Sequence, residues 1–135
     1  MQSLPGQNKG QGGHSIILAI ARAVLFVAGF LLWAVASTFP MLDHVREGWD
    51  GSAYWQIGVP LVLTTQLAAA IFSGERPAWA PLWVLSGHAL AMVLIHPPGT
   101  DLGLLPFTIV FIAVPAYGAL FIAAAIGRKL AVVFR

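Results

Sequence analysis

The chain has 135 residues, of which 59% are hydrophobic and only 9% charged, and it carries a formal net charge of +2. Soluble globular domains carry about 25% charged residues, so the composition, with a mean hydropathy of +0.83, reads as a membrane protein. The basic residues are scattered at segment ends and form no patch, which argues against nucleic acid as a partner. Absence of cysteine excludes disulfides, thiolate metal sites, covalently attached haem and thiol redox chemistry.

Residues 1–14 are polar and rich in Gly, Gln and Asn, with Lys9 among them. Such a stretch has no apolar surface to bury, and a disordered cytoplasmic tail is expected. The first apolar run, Ser15 to Phe39, is somewhat longer than a bilayer requires and is divided by Arg22. Arg22 is placed at the cytoplasmic boundary, where its long side chain reaches the headgroups. Ala34 and Ala36 imitate a signal-peptide cleavage site, but the apolar character continues to Phe39, so an uncleaved helix is expected.

A loop from Pro40 to Ser52 follows, with Asp43, His44, Arg46, Glu47 and Asp50. The second span is expected over 53–72, opened by Tyr54 and Trp55 at interfacial depth. Those two, with Trp49, also suit the mouth of a pocket for an apolar or lipid-like ligand. Ser73 to Ala78 is a tight connection. The third span, 79–95, has Pro81 in its first turn, where the missing N–H is harmless. The sequence His96-Pro-Pro-Gly-Thr-Asp101 reverses the chain. The fourth span, 102–126, has Pro106 in its first turn, and the chain closes with Arg128, Lys129 and Arg135.

Four spans put both termini and the second connection on one side. That side holds Lys9, Arg22, Arg76, Arg128, Lys129 and Arg135; the other holds Arg46. Positive residues stay in the cytoplasm. The expected fold is therefore all-α, a bundle of four transmembrane helices with both ends inside a bacterial-type inner membrane. Ala119, Ala123 and Gly127 form a small-residue stripe suited to helix contact. Pro60 and Pro115 each remove a backbone hydrogen bond inside a span, so bends are expected there.

Two groups of residues invite a chemical reading. His88 lies near the middle of the third span, where an ionisable residue normally faces other helices. A neutral imidazole needs one donor and one acceptor partner, and Gln66, Thr64 and Thr65 of the second span lie at similar depth. Either a ligand or proton site or a simple interhelical hydrogen bond follows. The second group is outward: Asp43, His44, Glu47 and Asp50 in one loop, His96 and Asp101 in the other. Imidazole plus carboxylate suits a divalent metal, although the spacing matches no compact metal motif and solvated loop charge accounts for it as well. His88 has no second histidine on a facing helix, so haem is not expected, nor is any other cofactor.

Walker-type and Gly-x-Ser-x-Gly motifs are absent, as is any carboxylate within a span, so an enzyme is not the expectation. The leading expectation is a structural or accessory subunit, its partners the lipid bilayer and either another membrane protein or itself. A small carrier or apolar-ligand-binding protein centred on His88 and Gln66 comes second, and a metal-dependent membrane enzyme third.

Overall fold

The computed structural model describes residues 9–38, 51–95 and 105–133. These form four α-helices: α1 (Lys9–Thr38), α2 (Val59–Ser73), α3 (Ala80–Leu94) and α4 (Leu105–Val133), with a π-helical turn, Tyr54–Gly58, leading into α2. No strand occurs among the described residues. Three stretches are long and apolar enough to cross a membrane: Gly12–Thr38, Tyr54–Ser73 and Val110–Val133. α3 has 15 residues, about 22 Å of helix against a hydrocarbon core of about 30 Å.

Helix bounds depart from expectation at both ends of the chain. α1 starts at Lys9 rather than Ser15, and α4 continues through Arg128 and Lys129 to Val133. Lys and Arg are good helix formers, which suits the basic end of α4; the added turn of α1 holds Gly10, Gly12 and Gly13, and propensity does not account for it.

α2 is entered through a widened turn. The Val59 N–H reaches back to the Tyr54 carbonyl, one residue further than in an α-helix. Pro60 follows immediately in the first turn of α2 and has no N–H with which to prolong the slip. The irregularity expected at Pro60 thus takes the form of a π-turn. Gly58 lies within it, and a Cβ there would meet Leu32 Cδ1 at 2.4 Å, so the Leu32 side chain would have to shift. α2 ends at Gly74, whose φ of 68° is the left-handed conformation that stops a helix.

Each helix buries one stripe. Buried positions are Leu25, Gly29 and Trp33 in α1; Val62, Gln66, Ala70 and Ser73 in α2; Ala80, Pro81, Val84, Gly87, His88, Ala91 and Met92 in α3; and Leu120, Ala124, Gly127 and Ala131 in α4. Steps of three and four hold such a stripe on one face. α1 packs chiefly on α3, and α2 on α4, with lesser α1–α2 and α3–α4 contacts. α2 and α3 touch little although a short connection joins them. The helices therefore stand in the cyclic order α1, α2, α4, α3. The core joins Leu25, Val62, Ala70, Ala80, Val84, Leu120 and Ala124, and a smaller cluster joins Trp33, Ala91 and Met92.

The closest helix contact is glycine on backbone. A Cβ at Gly29 would lie 1.9 Å from the Val84 carbonyl oxygen, and one at Gly87 would lie 1.9 Å from that of Phe26. Two glycines facing each other's helix let α1 and α3 touch along their main chains.

Candidate functional site

His88 sits one residue past the Gly87 contact and is 8% exposed. Its ring meets Trp33 of α1 edge-on at 5.6 Å between centroids, and Tyr54 of the π-turn at 6.1 Å. Of the two residues expected at interfacial depth, Tyr54 is 6% exposed, while its neighbour Trp55 is 55% exposed. Tyr54 is the first residue of the widened turn and its one buried side chain. Neither ring nitrogen of His88 has a hydrogen-bond partner among the described residues. The Gly29 backbone lies close enough to act on the ring as a weak hydrogen-bond partner, short of a well-formed bond.

The partners expected for His88 do not engage it. Thr64 and Thr65 each donate to the carbonyl four residues back in their own helix, Pro60 and Leu61 respectively, at 2.8 Å. Gln66 is fully buried, and neither its amide nitrogen nor its oxygen has a partner among the described residues. What encloses His88 is aromatic packing, with its nitrogens left over.

A second site lies near the middle of α1, about three turns before Trp33. Arg22 donates to Glu75 through Nε at 2.5 Å and through Nη2 at 3.3 Å, and its guanidinium stands 5.6 Å from the Trp83 ring centroid. Glu75 is only 4% exposed. Its backbone N–H donates to Ser73 Oγ, which itself donates to the Ala69 carbonyl, and the Arg76 N–H donates to the Glu75 carboxylate. Burial pushes the Glu75 carboxyl up, but these hydrogen bonds and the charges of Arg22 and Arg76 outweigh it and hold the carboxyl below its ordinary value. Arg22 was expected to reach for headgroups; it turns to a protein carboxylate. That partner was available from the chain, since Glu75 is the sole acid on the side where six basic residues were placed.

Beside this pair opens a cavity of about 330 Å³, lined among others by His14, Leu18, Arg22, Glu75, Arg76 and Trp79. Two further polar contacts tie the ends of the helices. Trp33 Nε1 donates to the Ile95 carbonyl at 2.7 Å, where α3 ends, and the Tyr117 hydroxyl donates to the Ala78 carbonyl at 3.0 Å.

The outward candidates Asp43, His44, Glu47, Asp50, His96 and Asp101 all lie outside the described residues, as does Trp49. Among the described residues no three His, Asp or Glu side chains are grouped to hold a metal ion. Comparison with family models, with curated proteins and with solved structures finds no match to this chain.

Proposed function

We propose that this chain is an integral protein of a bacterial-type inner membrane, four spans with both termini in the cytoplasm, serving as a structural or accessory subunit. Its partner is another membrane protein or a second copy. The distribution of polar groups supports this reading. Most of the described side-chain hydrogen bonds return to their own helix or join it to another helix or to the α2–α3 connection, while large apolar side chains stand exposed along the helices. Val110, Phe111 and Val114 of α4 stand 63%, 86% and 69% exposed. Lipid covers such a face, and so does a neighbouring span. α3 with its flanking Trp79 and Ile95 extends about 25 Å, a shortfall that slight local thinning of the bilayer accommodates. A photocrosslinker at Phe111 in intact membranes is expected to capture one stoichiometric partner, which also co-purifies in mild detergent. A chain that crosslinks only to lipid and purifies alone overturns the subunit reading.

The unpartnered nitrogens of His88, with the orphan amide of Gln66, favour a second reading: a small carrier or ligand-binding protein centred on those two residues, with bends at Pro60 and Pro115. Buried polar atoms without partners are uncommon and call for a cause. His88→Phe keeps the aromatic packing on Trp33 and Tyr54 while deleting both nitrogens. A carrier is expected to lose proton or solute flux in reconstituted vesicles on this change and to gain stability, because the desolvation of a buried polar ring is removed. Unchanged flux would dismiss the carrier.

A further inference from the structure

We propose that the cavity between His14, Arg22 and Arg76 holds the phosphate of an anionic membrane lipid. The inference rests on the membrane reading above and adds a ligand to it. Glu75 forms the cavity's inner wall, and its carboxylate is already engaged by Arg22 and by the Arg76 N–H. A guanidinium has five N–H donors in a fixed fork, and the Glu75 contacts use two of those on Arg22. The Arg76 and His14 side chains stand exposed beside them. Two arginines against one carboxylate leave net positive charge around an open volume. Planar guanidinium donors match phosphate oxygens in geometry as well as charge.

The remaining walls fit the rest of a lipid. Leu18 and Trp79, the latter 56% exposed, flank the cavity with apolar surface. Trp79 is the N-cap of α3, and on the membrane reading it stands at a helix end, where tryptophan rings favour the boundary between headgroups and hydrocarbon. Headgroup phosphate on the arginines and glycerol against Leu18 and Trp79 place both parts of the molecule in their own medium. A basic pocket between helices on the cytoplasmic side is the kind of feature that holds anionic headgroups. Free phosphate carries the same recognised group, so the experiment separates the two sources.

The full chain is reconstituted in nanodiscs with equal phosphatidylglycerol and phosphatidylcholine, and the lipids retained on release are identified by native mass spectrometry. Retention of phosphatidylglycerol over phosphatidylcholine is expected, with Arg76→Gln reducing the preference about fivefold and His14→Gln reducing it less. Arg128→Gln, away from the cavity, is expected to leave it unchanged. Equal retention of both lipids, or a preference indifferent to Arg76→Gln, overturns the proposal. Displacement of the lipid by millimolar orthophosphate also overturns it, since the site would then take the free anion. Carbonate extraction tests the underlying reading separately: a chain washed from the membrane ends both, whereas a chain that stays but does not discriminate between lipids ends only this one.

Discussion

Gly87 and Glu75 are the residues whose chemistry is most exposed to a single substitution. Gly87→Leu puts a Cβ 1.9 Å from the Phe26 carbonyl oxygen, against main chain that cannot rotate away. Overpacking typically costs about 1–3 kcal/mol, and a clash with backbone belongs at the upper end. Thermal melts in detergent should show a large loss for Gly87→Leu and none for Gly118→Ala, because nothing lies within 4 Å of a Cβ at Gly118 and alanine favours helix by up to about 1 kcal/mol. Glu75 gives a pH signature. Its folded carboxyl lies below the ordinary 4.5, so the stabilisation is fully present above that value and is lost as pH falls through the folded value. A melting temperature followed from neutral pH into acid should decline there in the wild type. Glu75→Gln should start lower and lose that acid step; a step that survives the substitution assigns it to another group.

At the scale of the helix, α4 shows how a correct residue type can be read on the wrong face. Ala119, Ala123 and Gly127 step by four residues, but Ala119 is exposed and Ala123 half-buried. The contact face is Leu120, Ala124, Gly127 and Ala131, stepping four, three and four. A helix turns once in 3.6 residues, so a strict four-residue step drifts off the interface while an alternating one stays on it. Gly127 belongs to both stripes, and its missing Cβ lets it approach the Leu67 carbonyl and Ala70. Ala124→Leu is therefore expected to destabilise by about 1–3 kcal/mol through overpacking. Ala119→Leu should be tolerated, and equal melting temperatures for the two would place the interface elsewhere. In α2, Pro60 directly follows a π-turn that contains the buried Tyr54.

For the whole molecule, the proposed orientation is directly measurable because the chain has no cysteine to give background labelling. Single cysteines at Gly10 and Arg135 should resist an impermeant maleimide in intact cells, while Arg46→Cys should react. Reactive ends of opposite sidedness would sink the four-span weave.

Helix number, helix type and approximate bounds followed from local information. Apolar runs of bilayer length, broken by Ser73-Gly-Glu-Arg-Pro and by His96-Pro-Pro-Gly, allow little else. Membrane composition and the expected sidedness likewise need only a count of residues along the chain. Which helices embrace was decided in three dimensions: α1 packs on α3 and α2 on α4, while α2 and α3, neighbours in sequence, scarcely meet. Small residues are common in apolar helices, so Gly29 and Gly87 become a contact only when two backbones bring them face to face. The same holds for polar groups. Arg22 finding Glu75, and His88 finding Trp33 and Tyr54 in place of a hydrogen-bond partner, depend on the distance between helices, which no spacing along a single chain encodes.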